Sequence, residues 1–140
     1  MFMRRSPAAA RCAAACLVAS VAGLLGCDPP ETPKGTVSGT VTYKGKPITG
    51  GEVELYSEAA GVGANVPIDE TGRFALAIPI ATATYQACIN PPHAHPGEEV
   101  PPARMRGFRE TPVRARDLKT SGLTVTINKG VNDVTLELKD

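Results

Sequence analysis

From Thr36 onward, apolar side chains recur at every second position, and that period leaves few folds open to the chain. Thr36 to Tyr43 reads TVSGTVTY, with Val37, Gly39, Val41 and Tyr43 on one face and Thr36, Ser38, Thr40 and Thr42 on the other. Successive side chains of a strand point to opposite faces, so this segment reads as a strand with one face in a core and one in water. The alternation returns along the chain. Glu52 to Tyr56 turns Val53 and Leu55 inward, Asn65 to Ile68 is a short strand, and Arg73 to Ile78 turns Phe74, Leu76 and Ile78 inward until Pro79 ends it. Thr82 to Asn90 carries Tyr85, Ala87 and Ile89 on its apolar side, which puts Cys88 on the polar one. Leu123, Val125 and Ile127, and then Val134, Leu136 and Leu138, alternate with polar neighbours.

Between these strands stand turn formers. Lys44-Gly45-Lys46-Pro47 reverses the chain, Asp69-Glu70-Thr71-Gly72 opens a turn with Asp and closes it with Gly, and Asn128 to Asn132 reads as a hairpin in which Gly130 takes positive φ. Each strand has a single apolar face, the mark of antiparallel sheets packed face to face. The expectation is all-β: seven short antiparallel strands in a sandwich over residues 36–140, with no competing helix.

The N-terminal part follows a different rule. Arg4, Arg5 and Arg11 precede a run from Cys12 to Leu25 that carries no charge, and no acid occurs before Asp28. Basic then apolar is the order of a secretory signal, and about 14 residues of helix at about 1.5 Å each fall short of a bilayer core of about 30 Å. The run ends in Leu24-Leu25-Gly26-Cys27, which resembles the lipobox of bacterial lipoproteins. That resemblance implies a diacylglycerol thioether on Cys27, cleavage after Gly26, and acylation of the new amino terminus by a fatty acid such as palmitate. Residues 1–26 are then the signal peptide. Residues 27–35, with Pro29, Pro30 and Pro33, form a polar tether with an extended bias.

Cysteine use fits that address. Cys12 and Cys16 leave with the signal and Cys27 takes the lipid, so only Cys88 stays in the folded part and no internal disulfide forms. Cleavage also removes three of the 15 basic residues and none of the 14 acidic ones, leaving a mature chain near −2. A generally basic nucleic-acid binder is thereby excluded. Low aromatic content and the absence of Trp argue against a stacking platform for bases and weaken a sugar-binding reading.

The order of the pieces carries a second resemblance. TVSGTVTYKGKPITGGEVELYS, then PIDETGRFALAIP, then TYQACIN, and finally SGLTVTINKGVNDVTLEL are similar to the transthyretin-like, or carboxypeptidase-regulatory-like, β-sandwich found in short bacterial lipoproteins. The family implies a seven-stranded Greek-key sandwich and little chemistry. In carboxypeptidases the zinc belongs to a separate catalytic domain, and no H-E-x-x-H motif occurs here. Transthyretin-related hydrolases carry a His and Arg set and a terminal Tyr-Arg-Gly-Ser motif, whereas this chain ends Leu136-Glu137-Leu138-Lys139-Asp140. No cofactor is expected.

The irregular stretch 91–121 is longer than most connections within a compact domain, and such loops are commonly functional or mobile. His93 and His95, the two histidines of the chain, project to one side of an extended segment and form a weak candidate metal pair that Glu98 or Glu99 would complete. Arg104, Arg106, Arg109, Arg114, Arg116 and Lys119 face only Glu110 and Asp117. Of these, Arg104, Arg106 and Arg109 are the candidates for contact with an anionic surface, and Met105 to Phe108 are placed to pack as one turn against the sandwich. Asp69 and Glu70 offer too few oxygens for calcium.

Together these readings describe a non-catalytic lipoprotein of the bacterial cell envelope. It would be held at a membrane by the lipid on Cys27, outside the cytoplasm, and would bind or scaffold an envelope protein or polysaccharide. Binding of a carbohydrate or other small ligand is the alternative. A hydrolase comes last, because Ser38, Ser57 and Ser121 lie in no nucleophile elbow.

Overall fold

A computed structural model describes residues 29–140. The signal segment, Leu24, Leu25 and Gly26 of the lipobox, and Cys27 lie outside the described residues. Within them run eight strands: β1 (Lys34–Tyr43), β2 (Lys46–Pro47), β3 (Glu52–Ser57), β4 (Val62–Pro67), β5 (Arg73–Ala81), β6 (Ala83–Asn90), β7 (Leu123–Ile127) and β8 (Gly130–Leu138). Between β6 and β7 lie a helix, α1 (Pro102–Arg109), and a 3₁₀ turn at Val113–Arg116.

The strands form two four-stranded sheets packed as a sandwich. In the first sheet β8 pairs with β1 from Gly35 to Tyr43, so β5 and β2 share the other edge of β1. In the second the order is β4-β3-β6-β7, all antiparallel. Val37, Val41, Phe74, Leu136 and Leu138 face Val53, Leu55, Val66, Tyr85, Ala87, Ile89, Val125 and Ile127 across a common core. Full burial of each large aliphatic or aromatic side chain contributes on the order of 1.5–3 kcal/mol. The Tyr85 hydroxyl keeps a partner there by donating to the Ala81 carbonyl at 2.8 Å.

All seven expected strands are present, and β2 is the eighth. Lys44 (φ 50) and Gly45 (φ 77) are both left-handed, as a two-residue hairpin loop demands, so pairing continues to Tyr43↔Lys46.

Three expectations need correction. Asn128 to Asn132 is not a hairpin: β7 pairs antiparallel with β6, the chain then crosses between sheets, and β8 runs parallel to β1. Asn132 fastens the crossing, donating to the carbonyls of Thr36 (2.9 Å) and Asn128 (2.8 Å) and accepting from the Asn128 amide (2.9 Å). The sandwich is therefore not antiparallel throughout. Pro79 does not end β5, and Ile78 does not point inward. Gly35 pairs with Ile80 and Val37 with Leu76, so residues 77–79 bulge opposite Thr36 and leave Ile78 72% exposed. Finally, the stretch 91–121 contains a helix of eight residues, Pro102–Arg109, where the sequence predicts only one turn at Met105 to Phe108.

The two ends of the sandwich differ. At the proximal end the chain arrives through residues 29–33, with the Pro33 carbonyl accepting from the Thr82 amide at 2.9 Å. The β3–β4 and β5–β6 connections and the crossing at 128–130 lie at the same end. The β2–β3 and β4–β5 connections and α1 close the distal end.

Candidate functional site

The segment between β6 and β7 is the feature the sandwich alone does not require. It leaves β6 at Asn90 and is caught at once by Glu52, the first residue of β3. One Glu52 carboxylate oxygen accepts from the His93 amide at 3.1 Å, and the other lies 3.0 Å from His93 Nδ1. The imidazole is largely exposed and the carboxylate largely buried. Next comes a turn closed by the Glu98 amide on the His95 carbonyl at 2.9 Å. His93 and His95, the candidate metal pair, gain no third ligand from Glu98 or Glu99: among the described residues no three His, Cys, Asp or Glu side chains come together to hold an ion.

Pro102 starts α1 at a position where the missing N–H costs nothing. The helix buries Gly107 and Phe108 against the β2–β3 connection, through two close backbone approaches. A Cβ on Gly50 would stand 1.9 Å from the Arg104 carbonyl oxygen, and one on Gly107 would stand 2.6 Å from Thr49 Oγ1. Only glycine fits at either position.

The six cations of this segment divide into two groups. Arg116 lies over the Phe108 ring at 4.7 Å and donates to the carbonyls of Thr111 (2.6 and 3.0 Å) and Arg109 (3.2 Å). Arg114 donates to the carbonyls of Thr120 (2.8 Å) and Asp140 (3.3 Å). Both bind the chain to itself. Arg104 is half-buried, with Nη2 out of water and without a partner, while Arg106, Arg109 and Lys119 are exposed. The patch expected on 104–119 is thus reduced mainly to Arg106, Arg109 and Lys119.

Past the 3₁₀ turn, residues 116–119 lie across the outer face of the second sheet at Glu54, Cys88 and Asn90. Asn90 Nδ2 donates to Glu54 Oε2 at 2.7 Å, and Cys88 Sγ is 3.5 Å from the same oxygen. Burial first, then the Glu54 carboxylate and the more distant Asp117, push the Cys88 thiol up to about 12. Such a thiol is a poor nucleophile. The serines a hydrolase would need are engaged elsewhere: Ser121 donates to the Ala87 carbonyl (2.6 Å), Ser57 accepts from the Ala60 amide (3.3 Å), and Ser38 donates to Asp133 (3.4 Å).

On the uncovered part of the second sheet one row crosses all four strands. Gly63, Tyr56, Gln86 and Thr124 are register neighbours on β4, β3, β6 and β7. Tyr56 is 42% exposed and lines a shallow groove with Glu58, Thr84, Gln86 and Thr124. Sequence reasoning placed Tyr56 on the outer face without assembling this row, which depends on strand register. It missed the Glu52–His93 pair as well, whose members lie 41 residues apart with no local signal to join them.

No family model matches the sequence, and no curated protein matches it. Among solved structures, the chain is similar to a DUF3823 family protein from Parabacteroides merdae, at 16% identity and a TM-score of 0.47, covering 78% of this chain and 47% of that one. A DUF3823 family protein from Bacteroides ovatus follows at 14% identity and a TM-score of 0.43, covering 76% and 44%. A leucine-rich repeat protein from Bacteroides thetaiotaomicron shows 10% identity and a TM-score of 0.42, covering 77% and 12%. The chain spans less than half the length of each. Among the described residues no helix is long and apolar enough to cross a membrane.

Proposed function

We propose that this chain is a lipid-anchored protein of the bacterial cell envelope whose transthyretin-like sandwich binds or scaffolds other envelope components without catalysis. The carrying observation is Leu24-Leu25-Gly26-Cys27 at the end of an uncharged run, followed by a Pro-rich tether that leads directly into β1. A thiolate is the side chain that takes a lipid readily near neutral pH, and several acyl chains hold a protein at a bilayer durably. Serines bound to backbone groups and a buried thiol held neutral favour recognition over turnover. Mass spectrometry of the detergent-solubilised native protein tests the anchor. A mature chain that begins at residue 27 and carries acyl mass supports it; an unmodified Cys27 in the aqueous phase removes it.

A specific observation favours a second reading, binding of a neutral carbohydrate. The row Tyr56, Gln86 and Thr124 sets an aromatic face beside an amide and a hydroxyl at strand spacing, a pattern suited to a sugar ring. On a glycan array, binding that Tyr56→Ala abolishes would establish it, and binding indifferent to that change would remove it.

A further inference from the structure

Two of the most exposed large apolar side chains share one corner of the sandwich. Ile78 is 72% exposed and Val131 86% exposed, and both flank Thr36. Val131 is its register partner on β8, and Ile78 lies in the bulge opposite it on β5. With β1 between them, the two stand about 10 Å apart at roughly 4.8 Å per strand. Exposed Pro79 continues the apolar surface, and exposed Lys34 and Lys129 stand on the same end of the first sheet. Of the carboxylates near this end, Glu58 is on the β3–β4 connection of the second sheet, Asp28 and Glu31 are in the tether, and exposed Asp133, two residues along β8 from Val131, is paired with Arg73 at 3.7 Å.

This corner is also where the tether arrives. Six residues lie between Cys27 and Lys34, so the seven steps span about 22 Å at about 3.1 Å per residue in an extended Pro-rich segment. β1 is ten residues long and carries the body roughly 33 Å further, at about 3.3 Å per residue. The proximal end is therefore the one the anchor holds near lipid. Resting on the anchor reading above, we propose that the first-sheet corner formed by Ile78, Pro79 and Val131 seats in the headgroup layer of the membrane that holds Cys27. The aliphatic groups enter the acyl boundary, and Lys34 and Lys129 reach the phosphates with their ammonium groups. Arg106 and Arg109, on α1 at the distal end, then face away from the bilayer and are free for other envelope components.

The test uses the full lipidated chain in vesicles of phosphatidylethanolamine and phosphatidylglycerol. Ile78→Cys, Val131→Cys, Ala59→Cys and Arg106→Cys each carry an environment-sensitive fluorophore; buried Cys88 stays unlabelled. Ala59 marks the other corner of the same end, and Arg106 the far end. Emission at positions 78 and 131 should move to the blue by about 15 nm, with quenching by nitroxide lipids about twofold stronger than at 59 and 106. A chain that floats with the vesicles but reports one environment at all four positions overturns the seating and leaves the anchor standing. A chain that does not float overturns both.

Discussion

The outer faces of the two sheets obey the same alternation and meet different surroundings. On the first sheet Thr36, Ser38, Thr40 and Thr42 stay half-exposed in a row along β1, with Asp133, Thr135 and Glu137 beside them on β8. On the second sheet, β6 buries Ala87, Cys88 and Ile89 in succession. Its outer face is in water near Thr84 and Gln86 and covered near Cys88, where residues 116–119 cross it. Alternation assigns a side chain to a face; what lies on that face is decided by a segment far away in sequence.

The sharpest way to break that contrast is to place one new charge on each outer face. Cys88→Glu buries a carboxylate beside Glu54 and should cost about 3–5 kcal/mol, the range for an uncompensated buried charge. Thr40→Glu, on the open face next to Arg73 in register, should stay within about 0.5 kcal/mol. Urea unfolding of both variants reads the difference, and equal costs would show that the cover over Cys88 is not closed in solution.

A smaller effect should follow from lifting the cover itself. Gly107→Val forces a side chain into Thr49 and the Gly50 backbone, which displaces Phe108 and with it the stacked Arg116; overpacking of this kind costs about 1–3 kcal/mol. The thiol reports it. In the parent the fold favours neutral Cys88, so the stability gained is complete below the ordinary thiol value near 9 and declines as pH rises toward about 12. Alkylation at pH 8 should be slow in the parent and much faster in the variant. Slow reaction in both would separate α1 from the cover.

How much of this was legible depends on the range over which each feature is fixed. Strand positions were readable because pleating ties facing to parity within a few residues, and Val37, Val41, Val53, Leu55, Tyr85 and Ile89 all lie in the core as their parity requires. Parity does not say which sheet a strand joins, so β8 was placed beside β7 when Asn132 fixes it beside β1. Of helix α1 the sequence shows one turn at Met105 to Phe108 but not its full extent, because its apolar contact is narrow, only Gly107 and Phe108 being buried among arginines, although Pro101-Pro102 is a usable start signal. The cation cluster was visible as composition. That Arg114 and Arg116 hold carbonyls is decided by how the segment folds back on itself, with Thr120 six residues from Arg114 and Thr111 five from Arg116, a path composition does not encode.

The same division of arginines gives a milder probe of the covered face. Arg116→Lys keeps the charge but loses the planar fork on the Thr111 and Arg109 carbonyls and much of the stacking on Phe108, so about 1 kcal/mol of stability should be lost. Arg106→Lys, on an exposed side chain, should leave the unfolding midpoint where it is. Equal effects would mean that the bonds of Arg116 exchange freely with water.

The smallest effect is expected where the chain passes from the second sheet to the first, at the exposed turn between β4 and β5. Asp69 Oδ1 accepts from the Thr71 hydroxyl (2.7 Å) and from the amides of Thr71 (2.8 Å) and Arg73 (2.9 Å), and Gly72 closes the turn at φ 81. The Thr71 hydroxyl first, then the Arg73 and Thr71 amides, hold the Asp69 carboxyl below its ordinary value near 3.8. A depressed carboxyl adds stability above that value and loses it as pH falls through the lower, folded one. Asn at 69 keeps an acceptor oxygen but cannot ionise. Asp69→Asn should therefore melt slightly below the parent at pH 6, and the gap should close as both are taken toward pH 2. Thermal unfolding across that range checks it: a constant gap would assign the turn's contribution to shape, and a closing gap assigns it to the charge that joins the two sheets.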